Sequence, residues 1–279
     1  MAQTWFITGV SSGLGRSMTE QLLARGDRVA GTVRKLDVMA DLKAQYRDRL
    51  WLAELDVTDF AAIPRVVNAA FGTLGRIDVV VNNAGYGLFG PAEALSDEQV
   101  YHQINTNLVA PIQVARAALP YLRAQQGGRI IAISTYGGQA AQPGGSLYHA
   151  SKWGMEGFFD ALHGEAAFFD IGVTIVEPGG ARTGFRKAAS SQAAELDAYR
   201  GTPVGSIRAR LEDQSHPPIG DPDKMAAAII ASAGQYPAQK RLVLGSDAYG
   251  FIQKALTERL AAVEIQKETA ASTDIEPGH

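Results

Sequence analysis

The sequence predicts an α/β protein built on a doubly wound parallel sheet. Three observations predict it. Short apolar runs alternate with longer amphipathic stretches along most of the chain. Several runs are rich in Val and Ile and apolar at successive positions, as strands buried on both sides of a parallel sheet must be. The first run leads directly into a glycine-containing turn and a helical stretch, the opening of a right-handed βαβ unit.

The runs are Trp5–Thr8, Arg28–Val33, Leu50–Leu55, Asp78–Asn82, Arg129–Ser134, Val173–Glu177 and Arg241–Leu244. Between them, Gly13–Arg25, Asp59–Leu74, Asp97–Gln125 and Tyr148–Phe169 have helical length and patterning. Phe251–Glu264 reads as a last helix, followed by a frayed polar tail. The stretch Gly184–Asp223 breaks the alternation. It is rich in Ala, Ser, Gln, Pro and Gly without a clear period, and reads as a lid or binding loop. There is no internal repeat or low-complexity linker. The chain therefore reads as one domain over 1–279, with 184–223 as the substrate loop and 251–279 as C-terminal helix and tail.

Composition removes several function classes. A net charge of -3 leaves no basic excess for nucleic acid. The absence of cysteine excludes disulfides, thiol catalysis and cysteine-ligated zinc. The five histidines show no metal-ligand spacing, and no metal is expected. No apolar run approaches the roughly 20 residues that span a bilayer, and no membrane association is expected. The N-terminus lacks a charged and apolar leader, so a cytoplasmic location is expected.

Ligands of such sheets sit outside the carboxyl ends of the strands. There, Gly9-Val10-Ser11-Ser12-Gly13-Leu14-Gly15 joins the first strand to the first helix. Glycines let the backbone turn tightly and approach a pyrophosphate, which rests on the positive end of the helix. The spacing Gly-x3-Gly-x-Gly differs from G-x-G-x-x-G, but its place at the first strand-to-helix junction predicts a dinucleotide site. The second strand ends Val33-Arg34-Lys35. An acidic residue at this position would hold a ribose 2′-hydroxyl, whereas Arg accommodates the 2′-phosphate of NADP. Val33 repels nothing and Arg34 follows, so NADP(H) is expected over NAD(H). Asp56 and Val57 follow strand three, at the adenine edge. Asn83, Ala84 and Gly85 end strand four at the same rim.

Tyr148 and Lys152 lie four apart at the start of a helix and share a face. An ammonium near a phenol lowers its pKa from about 10. Reaching about 7 requires roughly 4 kcal/mol, which Lys152, burial and cofactor charge are expected to share. Such a tyrosine can donate a proton to a carbonyl oxygen or accept one in reverse. The same spacing recurs at Tyr236 and Lys240, but Pro237 follows that tyrosine and disfavours a helix there. His149 is expected on another, surface side of the helix, and His163 with Glu165 is expected to be structural.

TGVSSGLG at 8–15, NNAG at 82–85, YHASK at 148–152 and PGGART at 178–183 together resemble the short-chain dehydrogenase/reductase family. They follow its order and spacing over nearly the whole chain. The resemblance implies a Rossmann-like, three-layer α/β/α architecture with about seven strands and a catalytic Asn-Ser-Tyr-Lys set. Tyr148 and Lys152 match that set. In the family the lysine also holds the nicotinamide ribose, and the Pro-Gly segment lies against the nicotinamide, which brings in Pro178, Gly179 and Thr183. Thr135 stands where the family has its serine, thirteen residues before the tyrosine. Ser134 would serve instead if the loop Tyr136–Leu147 is one residue off register. Counting back from Leu119-Pro120 points to Asn107 as the family's asparagine. Pro111, four residues later, has no N–H, so the Asn107 carbonyl loses its helical partner. In the family that carbonyl holds a water on a proton path to solvent.

Substrate contacts are expected from Tyr136–Leu147, Gly87–Phe89 and Gly184–Asp223, with Tyr136, Leu147 and Phe185 as walls. Arg182 and Arg186 are the few charges nearby, so a mainly apolar ketone, aldehyde or secondary alcohol is expected. The segments around Tyr148 and Asn107 are most similar to the branch with hydroxysteroid and retinol dehydrogenases. The family also implies a homodimer or homotetramer, with Phe158, Phe159, Phe168 and Phe169 packing the helix Tyr148–Phe169 between sheet and neighbour. The competing reading is a non-catalytic NADP-sensing regulator on this fold. Intact Tyr148, Lys152 and Asn107 argue against it.

Overall fold

The computed structural model describes residues 2–190 and 195–275. The strands are β1 (Thr4–Thr8), β2 (Arg28–Val33), β3 (Leu50–Glu54), β4 (Val79–Asn82), β5 (Gly128–Ile133), β6 (Ile171–Pro178) and β7 (Arg241–Leu244). They form one parallel sheet in the order β3-β2-β1-β4-β5-β6-β7. The chain winds outward from β1 to β3 and then, from β4, outward in the other direction. The switch between β1 and β4 opens a crevice at their carboxyl ends.

The helices are α1 (Gly13–Ala24), α2 (Ala40–Tyr46), α3 (Ala62–Leu74), α4 (Asp97–Ile104), α5 (Ala110–Ala124), α6 (Ser146–Ala167), α7 (Phe185–Ser190), α8 (Ile207–Glu212), α9 (Pro222–Ser232), α10 (Ser246–Glu264) and α11 (Lys267–Ala271). They cover both faces of the sheet. Trp5 and Ile7 of β1 and Val79 and Val81 of β4 point to one side, into a core with Leu22 of α1 and Ile229 of α9. Phe6 and Val80 point to the other, into a core with Val67 of α3, Ala115 of α5 and Phe159 of α6. Side chains alternate along a strand, so two buried faces require apolar residues at every position.

The expected helix 97–125 is interrupted. Its start is well marked: Ser96 Oγ accepts from the Gln99 N–H at 3.2 Å, and the Gln99 side chain accepts from Ser96 N–H at 3.1 Å. After α4 the chain makes a π-helical turn, Asn105–Val109, before α5 begins. The Ala110 N–H bonds to the Asn105 carbonyl, five residues back. The irregular stretch 184–223 contains α7 and α8, packed together, and runs into α9. Asp221 caps α9 by accepting from the N–H groups of Asp223 and Lys224, and Pro222 starts it. The polar tail continues as α11. Phe159 is wholly buried, but Phe168 is 89% exposed and Phe169 47% exposed, beyond the end of α6 and off the sheet. Tyr236 lies outside any helix, and Lys240 is ion-paired with Asp160. No helix among the described residues is long and apolar enough to cross a membrane.

Candidate active site

A cleft of about 980 Å³ opens over the carboxyl ends of β1, β4, β5 and β6. Its first wall is the turn after β1, where Gly9, Ser11, Ser12, Gly13 and Leu14 all line the space. Gly9 has φ +73°, and a Cβ on it would press on Ala84 Cα at 3.1 Å. Ser12 is extended and makes no side-chain cap bond, so the first N–H groups of α1 carry no capping side chain. Those donors and the helix dipole suit a phosphate. Gly15 is placed differently from the expectation. It is buried and does not line the cleft; a Cβ there would lie 2.3 Å from the Gly9 carbonyl oxygen. It lets α1 pack against the turn.

The rims of β1 and β4 are laced together by a residue that sequence reasoning missed. Thr8 Oγ1 accepts from the N–H groups of Asn83 and Ala84, each at 3.0 Å. The Asn83 amide donates to the carbonyls of Thr8 and Gly9 at 2.9 and 3.0 Å. Asn83, Ala84 and Gly85 line the cleft, as do Arg34, Asp56 and Val57 at its far end. Arg34 is exposed. The N–H and hydroxyl of Thr58 bond to Asp56 and hold its carboxyl below the usual range, with a smaller contribution from Arg34. Tyr86 and His102 also line this wall, joined by a 2.7 Å Tyr86 hydroxyl to His102 Nδ1 bond. Neither follows from sequence spacing, because α4 meets the turn after β4 only in the fold.

Tyr148 and Lys152 enter the cleft from the first turns of α6, both over 90% buried. Lys152 Nζ donates to the Ile133 carbonyl at 2.8 Å, one of the three hydrogens an ammonium carries. Burial lowers the Lys152 pKa to about 8, against an opposing pull from Glu156. Burial raises the phenol of Tyr148, and the adjacent Thr135 hydroxyl offsets part of the rise. The expectation that burial would help to lower the tyrosine pKa is therefore wrong in sign. Removing water penalises the phenolate as it does any charge.

The two candidate hydroxyls separate cleanly. Thr135 Oγ1 donates to the Pro178 carbonyl at 3.3 Å and faces Tyr148. Ser134 Oγ donates to Glu156 Oε1 at 2.5 Å and is committed to the protein interior. Asn107 is wholly buried behind the wall, not in it. Its Oδ1 accepts from Tyr86 N–H at 3.1 Å, and its Nδ2 donates to Tyr86 O at 2.8 Å and Ser151 Oγ at 3.2 Å. The side chain is fully used in holding the backbone after Gly85. His149 is buried rather than on the surface, and Nδ1 shares a hydrogen with the Gly137 carbonyl at 2.8 Å. A glycine is needed opposite it, since a Cβ on Gly137 would sit 2.6 Å from that nitrogen.

Beneath the cleft lies an ion cluster with no sequence signature. Arg241 Nη1 donates to Glu156 and, at 2.5 Å, to Glu177, while Nη2 donates to Asp160 at 2.7 Å. Gln139 Nε2 bridges Glu156 and Glu177 at 2.9 and 3.0 Å. Glu156 and Glu177 are 3% and 1% exposed. Burial raises the Glu156 pKa.

Pro178, Gly179 and Thr183 line the cleft, as do Tyr136 and Phe185. Leu147 does not line the cleft; consecutive helical positions face apart, and its neighbour Tyr148 takes the inward direction. Phe89 and Phe185 stand over Tyr148, with ring centroids 5.1 and 5.8 Å from it. Tyr136 stacks on Phe251 of α10 at 5.0 Å.

The model of the short chain dehydrogenase family matches residues 3–194. The chain belongs to that family. This dehydrogenase is 34% identical over 274 residues to "Oxidoreductase BOA17" of Botryotinia fuckeliana (strain B05.10), covering 98% of this chain and all of that one. A solved short-chain dehydrogenase from Streptomyces avermitilis superposes with TM-score 0.91 at 37% identity over 98% of both chains. A third relative is the "NADPH-dependent 3-dehydrocapnine reductase" of Ornithobacterium rhinotracheale, 29% identical over 82% of this chain and 81% of that one. The short-chain dehydrogenase described here is an NAD(P)-dependent oxidoreductase. The residues present fit a dinucleotide: an uncapped helix start, the close approach at Gly9 and the cleft running from Arg34 to Tyr148.

Proposed function

We propose that this dehydrogenase interconverts a carbonyl and an alcohol on a mainly apolar small molecule, with Tyr148 as acid/base and NADP(H) preferred. The single observation that carries this is a phenol and a threonine hydroxyl set together in the cleft beside a buried lysine. The bound nicotinamide supplies or accepts the hydride. Gly9, Ser11, Ser12, Gly13 and Leu14 would hold the pyrophosphate, and Asp56, Val57, Asn83, Ala84 and Gly85 the adenosine half. Pro178, Gly179 and Thr183 would orient the ring end. Thr135 holds the substrate oxygen, and Tyr148 gives it a proton during reduction or takes one during oxidation. Lys152, charged at neutral pH, stabilises the phenolate that this leaves.

Turnover tests the reading. NADPH oxidation is expected with apolar aldehydes or ketones, and none of these activities survives without Tyr148. A protein that binds NADPH tightly and turns over no carbonyl would support the regulator reading instead.

Arg34 is assigned to the 2′-phosphate. Arg34→Asp removes a charge-assisted donor and puts a carboxylate where the phosphate would lie. The ratio of kcat/KM for NADPH over NADH is expected to fall by about 10²-fold, near 2.7 kcal/mol. An unchanged ratio in steady-state assays removes Arg34 from this role.

Asn107 acts through its carbonyl, since its side chain is committed to Tyr86 and Ser151. Pro111 cannot offer the N–H that an α-helix would place on that carbonyl. That carbonyl would hold a water, and the water would pass protons between Lys152 and solvent. Pro111→Ala restores a donor, so a lower kcat and a shifted pH–rate profile are expected. An unchanged profile overturns the relay.

A further inference from the structure

The substrate end of the cleft is apolar but not neutral. Beyond Tyr148 it is walled by Phe89, Phe185, Ile207, Leu211 and Phe251. Two guanidinium groups join this wall: Arg186 from α7 and Arg210 from α8. Each makes a hydrogen bond to a carbonyl, Arg186 Nη1 to His216 at 3.1 Å and Arg210 Nη2 to Pro203 at 2.7 Å. An arginine carries five N–H donors, so most remain for another acceptor. Among the described residues, no carboxylate lies within ion-pair distance of either side chain. Their neighbours in the same segment differ: Arg200 pairs with Asp197, and Arg208 with Glu195. Both arginines also act on the hydroxyl of Tyr136, the residue after Thr135, and pull its raised pKa back down. Their charge therefore reaches the space beside the reacting centre.

Of the carboxylates that line the cleft, Asp247 acts on Tyr136 together with them. Asp247 lines the same end, but its Oδ2 accepts the Gly180 N–H at 2.8 Å and its Oδ1 is closed off from solvent. It supports the turn at Gly179 and Gly180, and its single charge leaves the pair of arginines in excess. Arg186 is half-buried and Arg210 exposed, so both guanidinium groups are open to an anion that enters the cleft.

Resting on the reading of this cleft as a carbonyl reductase site, we infer that its substrate is an apolar carbonyl compound with an anionic group, which Arg186 and Arg210 hold while the carbonyl meets Tyr148 and Thr135. The apolar stretch between the two ends lies against Phe89, Phe185 and Phe251. Two arginines on separate helices that pack together make a fork for a carboxylate or a similar oxyanion.

Calorimetric titration of octanoate and of methyl octanoate into the full-length protein tests this without turnover. Octanoate is expected to bind at least tenfold tighter than the ester. R186Q/R210Q is expected to bring the two within twofold, and R186K/R210K, which keeps the charges, to retain a preference. Equal binding in the wild type overturns the inference, as does no octanoate binding, or a preference that survives in the glutamine pair. Loss of the preference in the lysine pair also overturns it, because the effect is then structural. NADPH oxidation with a neutral aldehyde reads the parent proposal separately. Turnover of that aldehyde with equal octanoate and ester binding sinks the anion site alone. Octanoate preference without turnover of any carbonyl sinks the reductase reading alone.

Discussion

Tyr148→Phe is expected to lower kcat by about 10³-fold while leaving NADPH affinity and folding nearly unchanged. The ring keeps its place between Phe89 and Phe185, so packing survives. Thr135 keeps its bond to the Pro178 carbonyl, so no buried hydroxyl is orphaned. What goes is the phenol proton that Tyr148 presents in the cleft alongside Lys152. Steady-state rates with a fluorescence titration of NADPH separate the two effects. Activity within tenfold of the wild type would remove Tyr148 as the acid. The wild-type pH profile carries a second mark. Lys152 is charged below about 8 and neutral above it, so its support for the phenolate is present at neutral pH and lost as pH rises through that value. Carbonyl reduction is expected to slow on the alkaline side accordingly.

Arg241→Met is expected to destabilise the fold by about 3–5 kcal/mol at pH 8, the cost of leaving buried carboxylates without their cation. Glu156 and Glu177 are nearly inaccessible to water, and Gln139 is the neutral donor they share. Burial disfavours the charge of Arg241, yet its bonds to Asp160, Glu156 and Glu177 outweigh this and raise its pKa. Its removal pushes the pKa of Glu156, already raised, further up. A carboxyl whose folded pKa exceeds its unfolded one binds protons more readily when folded, so stability falls as pH rises above the ordinary carboxylate range. The gap between variant and wild type in urea unfolding should therefore be smaller at pH 5.5 than at pH 8. A loss below about 1 kcal/mol at pH 8 would rank the cluster with surface ion pairs.

The seven strands were legible to within a residue or two at most ends because burial on both faces leaves no room for polar interruptions. Val79 and Val81 enter one core and Val80 the other. The helices were less legible where tertiary contacts decide. Leu36–Tyr46 gave no signal, since most of its residues are exposed and its buried ones, Met39 and Leu42, are too few to set a period. Helices α7 and α8 have six residues each, too short for a hydrophobic face to repeat. In the site, glycines, Tyr148 and Lys152 stood out because their chemistry depends on local spacing. His149 did not. Its burial follows from the missing side chain at Gly137, twelve residues away. Arg241, Glu156 and Glu177 meet only because β6, β7 and α6 pack together, and no linear spacing encodes that.

The π-helical turn at Asn105–Val109 amounts to one surplus residue spliced into a helix. Each helical residue advances the face by about 100°, so the splice changes the phase between the segments on either side. Upstream, Gln103 and His102 of α4 point at Tyr86 and its carbonyl. Downstream, Val114, Ala118 and Leu122 of α5 point into the core. A regular helix of the same sequence less one residue could satisfy one set and would rotate the other away. The surplus residue lets one helix answer to two different surfaces, the wall of the cleft and the interior of the sheet.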